Sequence, residues 1–374
     1  MQLNQPTAHS NAREKLAGMK GFCEVVIGPG GQPFHNLLFV GVAGQQNNVS
    51  VNLLKIANER LAKTLEEHVA GIAGRLWKCW QGAGPLYLDL SSFKQELLAD
   101  GRVALELVLA TCQERGIEVV PVLSRNSSGA YLAAAAKHSS SFSGACIRLV
   151  VEDFGEDIDL EKQVARLIDG LSGTAISSID VIIDLKDLGP EAGRAVLVAR
   201  SVFSMIPRKD EWRRIILAAA SFPEDLSDIG AAKSTELPRR EWELWKTLQR
   251  RPQLLPRRDL IFGDYGIANP TTKGLDPRMM QMSASIRYTT QDNWLILKGR
   301  NVRQYGFDQY PELCKALVPR SEFRGSQFSW GDKFIQDCSD GMVGPGNATT
   351  WRKVGTNHHI TLVTQELPKQ DLSS

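Results

Sequence analysis

Between Leu86 and Phe262 the sequence repeats one unit: a short apolar run, a polar residue at its end, then a stretch with helical spacing. Leu86–Leu88 ends at Asp89, Glu118–Leu123 at Ser124-Arg125, and Ala145–Val151 at Glu152-Asp153. Ile179–Ile183 ends at Asp184, Ile215–Ala220 at Ser221, and Leu260–Phe262 at Gly263-Asp264-Tyr265. Helical periodicity fills Glu96–Arg115, Gly129–His138, Leu160–Leu171, the segment after Pro190, and Arg239–Arg251. Near-continuous apolar runs belong to strands buried on both faces, and helical crossovers between them imply parallel pairing. Two earlier runs, Phe22–Ile27 and Leu37–Val42, raise the six strands to eight. Eight predict an α/β fold of the (β/α)8, TIM-barrel-like kind, with an open doubly wound sheet as the alternative. The first two strands fit least well, since about ten residues between them are too few for a helical crossover. Gly28-Pro29-Gly30-Gly31 in that gap lacks the ending of a phosphate loop and reads as a turn, while Val51–Trp80 has helical spacing.

Beyond the last of these strands, Ser283–Thr289 and Trp294–Lys298 flank the turn residues Thr290-Gln291-Asp292-Asn293, which predicts an antiparallel hairpin. Its register sets Thr289 opposite Trp294, Arg287 opposite Ile296 and Ser285 opposite Lys298. Arg287 and Lys298 then share one face as diagonal neighbours. Such a pair either answers a nearby carboxylate or holds an anion such as phosphate. Arg303–Val318 reads as a helix, and Ser329–Val363 as short apolar runs between Gly-rich turns, an α+β extension with His358-His359 in a strand. The expected organisation is an N-terminal segment 1–50, a barrel-like core 51–270, a hairpin and extension 271–365 packed on it, and a polar tail 366–374.

A net charge of +2 is too small to imply nucleic-acid binding by bulk electrostatics, and Arg250-Arg251 with Arg257-Arg258 read as a solvated loop in preference to a local nucleic-acid patch. The six cysteines form no CxxC and no Cys/His cluster, as reduced thiols of a cytoplasmic protein would. No signal segment and no transmembrane-length apolar run is found, so no membrane partner is expected. HExxH, a GxSxG elbow, a kinase signature set and a dinucleotide fingerprint are missing.

In a barrel, residues at the C-terminal strand ends line the mouth, which nominates Asp89, Arg125, Glu152, Asp184, Lys186, Ser221 and Asp264. Carboxylates gathered there could hold a divalent metal or act as acid and base, or simply cap the turns that follow. Lys186 reads as a surface lysine in preference to a Schiff-base one.

A succession of segments carries a family resemblance: FGDYGI (Phe262–Ile267), SIRYTT (Ser285–Thr290), WLILKGRN (Trp294–Asn301), GFDQY (Gly306–Tyr310), GNATTWR (Gly346–Arg352) and GTNHH (Gly355–His359). LYLDL (Leu86–Leu90), AAASFPEDL (Ala218–Leu226) and AKTLEEH (Ala62–His68) add to it. Over roughly residues 52–365 the chain closely resembles the beta protein family, named for a coliphage protein and scattered through phages and bacteria. That family usually opens with a strand like YVPILK, an acidic GE and a second strand like ITPLIEI. The first fifty residues here are divergent and lack all three. The resemblance implies a part in phage–host conflict, such as antiviral defence, and no particular reaction.

Two functions are expected. In the first, Asp264, Arg287, Lys298 and His358 act as catalytic groups, with Asp89, Asp184, Tyr265, Arg300 and Arg352 binding the ligand. The ligand would be phosphate-bearing, a nucleotide or nucleic-acid end, and the reaction phosphoester hydrolysis, with a divalent metal on Asp89 or Asp184 as the cofactor to test. In the second, the barrel is inert and its surface recognises a partner protein, a reading suggested by eight tryptophans, among them Trp242, Trp245, Trp330 and Trp351.

Overall fold

A computed structural model describes residues 22–24, 37–41, 85–90, 98, 100–139, 144–231, 233–256, 260–270 and 282–367. The helix expected over Val51–Trp80 lies outside these residues. Strands β1 (Phe22–Glu24) and β2 (Leu37–Gly41) come first. Then strand and helix alternate: β3 (Leu86–Asp89), α1 (Ala104–Glu114), β4 (Val119–Leu123), α2 (Gly129–Ser139), β5 (Ala145–Val150), α3 (Leu160–Asp169), β6 (Ile179–Asp187), α4 (Ala192–Met205) and β7 (Arg214–Ala220). β8 (Lys233–Pro238), α5 (Arg240–Arg250) and β9 (Ile261–Asp264) follow, then the hairpin β10 (Ser283–Thr289) and β11 (Asn293–Asn301). The chain closes its described part with α6 (Val302–Tyr305), α7 (Tyr310–Leu317), α8 (Trp330–Ser339) and α9 (Ala348–Glu366).

The main sheet has the order β1-β2-β3-β4-β5-β6-β7-β9. From β2 onward every pairing is parallel, as the buried apolar runs predict. The sheet curls into a half-barrel and stays open; among the described residues no ladder joins β9 to β1. β1 and β2 pair antiparallel, which a short connection permits and a parallel pairing would not. The eight-stranded closed barrel is therefore corrected to an open, curled α/β sheet.

Period-2 alternation sorts each strand between the two faces. The convex face carries Leu86, Leu88, Val119, Leu123, Ile147, Leu149, Val181, Ile183, Leu217 and Phe262, packed with the helices into the largest core. Each such side chain, fully buried, contributes about 1.5–3 kcal/mol. The concave face carries Tyr87, Val120, Val122, Cys146, Ile182, Ile216, Ala218 and Ile261.

β10, β11 and β8 form a second, antiparallel sheet. The hairpin register is the one its sequence dictates: Ser285 faces Lys298, Arg287 faces Ile296 and Thr289 faces Trp294. β8 escapes a sequence reading because KSTELP is a mostly exposed edge with no apolar alternation, and its Lys and Pro suit such an edge. One face of this sheet, with Trp294 and Ile296, meets Phe222, Ile229 and Ile267 from the loops after β7 and β9. The other, with Ala284, Ile286, Tyr288, Leu295 and Leu297, packs on α7, α8 and α9.

The extension differs from expectation. The helix expected over 303–318 is split into α6 and α7 at Gly306, whose φ of 66° belongs to glycine. In place of strands, Ser329–Val363 holds two helices. Asn347 starts the second by accepting the Thr349 and Thr350 N–H groups at 2.9 and 3.1 Å. His358 and His359 thus sit on a helix, about 100° apart. α9 sends Ile360 and Val363 into the main core and Trp351 and Val354 into the extension's core. Among the described residues no helix is long and apolar enough to cross a membrane.

Candidate functional site

The concave face builds a site by simple extension of its register. Two residues beyond Tyr87, Cys146 and Ile182 lie Asp89, Arg148 and Asp184, each the next inward position toward the C-terminal end of its strand. Tyr265 joins them from just past β9. The Arg148 guanidinium donates from Nε to Asp184 Oδ2 at 2.9 Å and from Nη2 to the same oxygen at 2.5 Å. Its Nη1 donates to Asp89 Oδ2 at 3.1 Å, and Nη2 also reaches the Tyr265 hydroxyl at 3.0 Å. Tyr265 in turn donates to Asp184 Oδ2 at 2.5 Å. Both carboxylates are buried, while the Arg148 side chain keeps 13% exposure and so forms the accessible surface of the quartet. Two carboxylates crowded together would repel; the guanidinium between them makes their burial tolerable through charge-assisted bonds.

Neighbouring elements hold the quartet in place. The Tyr131 hydroxyl of α2 accepts the Leu90 N–H and donates to Val122 O, both at 3.1 Å, so it pins the end of β3 beside β4. Burial and then the Asp89 charge push this hydroxyl well above its ordinary pKa, which keeps it a donor. At the opposite end of the concave lining, Tyr87 donates to Asp180 Oδ2 at 2.5 Å, and Arg213 grips the same carboxylate from Nε and Nη2 at 2.8 and 2.6 Å. An apolar layer therefore lies between two polar ones.

β6 bulges between Asp184 and Asp187, and within the bulge Lys186 has φ 53°. That left-handed backbone costs a lysine about 1–2 kcal/mol that a glycine would not incur. Its N–H donates to Asp184 Oδ1 at 2.8 Å, so the quartet itself supports the conformation. Its ammonium donates to both oxygens of Glu152, at 2.7 and 2.8 Å. Arg125 lies 3.3 Å from the buried Asp153.

The residues nominated on the hairpin form a different arrangement. Arg287 donates to Ile267 O at 2.8 Å and lies over the Phe222 ring. Lys298 is buried and donates to Leu226 O and Ile229 O at 2.5 and 2.6 Å. Both thus tie the second sheet to loops at the mouth. Arg300 is exposed above Tyr305, and Arg352 is exposed on α9. Asp264 points to the outer side of β9, where its Oδ2 meets His359 Nε2 at 2.9 Å and its Oδ1 accepts the Gly266 N–H at 2.9 Å. Burial alone would raise its pKa; the attraction of His359, with these bonds, more than reverses this and holds the carboxyl below its ordinary range. His359 Nδ1 meets the Thr289 hydroxyl at 3.0 Å. His358 turns elsewhere: Nδ1 to Asp332 Oδ2 at 2.8 Å, Nε2 to Thr289 O at 2.7 Å, its ring stacked on Tyr288. Ser221 donates to Glu241 and accepts the Arg240 N–H at 3.0 Å.

Asp89, Asp184 and Tyr265 are therefore brought together, while Asp264, Arg287, Lys298 and His358 are placed in separate contacts around the hairpin. Among the described residues no three or more His, Cys, Asp or Glu side chains are grouped as a metal site requires. The residue that sequence reasoning missed is Arg148. Its signal was a lone charge inside the apolar run Ala145–Val150, in phase with Cys146.

The sequence model of the Beta protein family matches residues 45–365. The chain belongs to the Beta protein family. No curated protein and no solved structure matches it. The segments by which the chain resembles the Beta protein family now have places: LYLDL supplies Asp89, FGDYGI supplies Asp264 and Tyr265, SIRYTT and WLILKGRN form the hairpin, and GNATTWR with GTNHH forms much of α9.

Proposed function

We propose that this Beta protein acts in the cytoplasm in phage–host conflict, and that its mouth quartet binds a phosphate-bearing ligand, a nucleotide or a nucleic-acid end. The observation that carries the reading is Arg148, whose side chain keeps 13% exposure and whose guanidinium is set between two buried carboxylates at the C-terminal ends of parallel strands. Ligands of parallel α/β sheets bind at those ends. A nucleotide carries anionic phosphate and neutral hydroxyl donors together, which matches a lining that offers a guanidinium beside carboxylate acceptors. Phosphoester hydrolysis is the reaction to assay first, with Asp89 or Asp184 accepting the proton of the attacking water. The phage–host part rests on the family, and the cytoplasmic one on buried thiols at Cys112, Cys146, Cys314 and Cys338.

The test is calorimetric titration and a hydrolysis assay with nucleotides and short oligonucleotides on wild type, Arg148→Lys and Tyr265→Phe. Binding by wild type, weakened about tenfold or more by Arg148→Lys through loss of the planar fork, supports the reading. Binding by none of the ligands, or equal binding by all three proteins, sinks it.

One observation favours a second reading, a non-enzymatic interaction or immunity module. Arg287, Lys298, His358 and His359 all turn their polar atoms inward, onto carbonyls or carboxylates of neighbouring elements. Groups so engaged fasten layers together and leave recognition to the surface, where Leu197 and Met205 of α4 are exposed. Capture from infected cells of a partner protein that an α4 surface variant loses would support this reading; failure to recover any specific partner counts against it.

A further inference from the structure

Three cations stand at the C-terminal ends of adjacent strands: Arg125 just after β4, Arg148 in β5 and Lys186 in β6. Arg148 is held by the quartet, but the other two meet carboxylates of the short turn that follows β5. Glu152 is the exposed one, with 54% of its side chain accessible, and Lys186 holds both of its oxygens. Burial tends to raise the Glu152 pKa, yet the bond from Lys186 and the charges of Lys186 and Arg125 bring it below its ordinary value, so both cations act on this one carboxylate. Asp153, beside it, is buried with an Oδ1 that accepts no hydrogen bond, although Arg125 Nη1 stands 3.3 Å away.

Two features set this ion pair apart from an ordinary surface contact. Lys186 occupies a left-handed position where glycine would be free of strain, so its side chain stands there at a local penalty. The bulge that creates the position is braced by Asp184, a member of the quartet, and bulges beside sites commonly re-aim one side chain. An exposed carboxylate gripped through both oxygens also has the shape of a bound oxyanion. Ion pairs this open to water are weak and readily exchanged.

We infer that Lys186 and Arg125 form a second anion subsite on the rim of the mouth, occupied in this structure by Glu152 as an internal stand-in, and that the ligand carries at least two linked phosphates. One phosphate meets Arg148; the next displaces Glu152 and takes its place on Lys186. This rests on the reading of the mouth as a phosphate site and adds to it the chemical class of the ligand. If the pair only braces the bulge, Lys186 and Glu152 affect stability and leave binding alone.

Inorganic pyrophosphate and orthophosphate are titrated calorimetrically, at low ionic strength, into wild type, Glu152→Gln, Lys186→Ala and Lys186→Gly. Pyrophosphate should bind wild type about tenfold tighter than orthophosphate, and Lys186→Ala should remove most of that difference. Glu152→Gln, which abolishes the competing charge, should tighten pyrophosphate by about threefold or more. Lys186→Gly relieves the backbone while removing the ammonium, so it should melt no lower than Lys186→Ala and still lose the preference. Pyrophosphate binding that is the same in wild type, Glu152→Gln and Lys186→Gly overturns the rim subsite while the mouth reading stands. Binding of neither anion to wild type overturns both.

Discussion

His359 Nε2 stands 2.9 Å from Asp264 Oδ2, and this contact joins α9 to β9 across 95 positions of sequence. One step along the same helix, His358 meets Asp332 of α8. Two adjacent residues, turned by the helical pitch, fasten one helix to two different layers.

Replacement of Asp264 by alanine therefore leaves His359 Nε2–H and the Gly266 N–H without an acceptor in a buried place. Each orphaned donor costs about 1–3 kcal/mol. Urea denaturation at neutral pH should show a loss of that size, with the same midpoint by fluorescence and by circular dichroism.

The acid limb of stability carries a sign that can be checked. The Asp264 carboxyl is depressed in the folded protein, so its contribution is complete above the ordinary carboxylate value and is lost as pH falls through the folded one. Glu241 is raised, chiefly by burial, so its contribution is present at low pH and fades as pH rises above 4.5. Melting temperatures measured from neutral to acid pH should fall less steeply in Asp264→Asn than in wild type. In Glu241→Gln, stability relative to wild type should improve as pH rises through that window.

Lys298 holds two carbonyls of the loop after β7. Lys298→Met keeps the bulk of the stem but leaves both acceptors bare. Hydrogen exchange should quicken over residues 222–231, with about 1–3 kcal/mol lost per carbonyl left unpaired.

Gly355 is the close approach between α9 and the second sheet. A Cβ placed there would stand 2.8 Å from Ile267 Cδ1 and 2.9 Å from Arg287 O. Backbone atoms cannot yield as a side chain can, so Gly355→Ala should destabilise by about 1–3 kcal/mol. Thermal melting would read this directly.

Much of the architecture was legible because it is local. Period 2 and the turn residues Thr290–Asn293 fix the hairpin register, and apolar runs ending in polar residues mark β3 to β7 and β9. What those side chains touch was not legible. Arg287 and Lys298 do share a face, yet their acceptors are backbone oxygens of Ile267, Leu226 and Ile229, which no pattern of residue types reveals. α9 was unreadable for another reason. Trp351, Val354, Gly355 and the run Asn357–Val363 are buried on every side, so the helix has no polar stripe by which to be known. Asn357, His358 and His359 face inward, each met by a partner far away in sequence. Arg148 was hidden by its surroundings, since one charge among Ala145–Val150 looks like an interruption until strand pairing shows which way it faces.

The double anchorage of α9 bears on how the chain acquires its shape as it is made. Ile360, Val363 and Leu367 complete the core beneath the curled sheet, while Trp351 and Val354 complete the one behind the hairpin. Neither can close while those residues are still inside the ribosome. The strands from Leu86 onward are made some hundreds of residues before the helix that completes their core, and apolar surface left open in such an interval is the kind that favours aggregation.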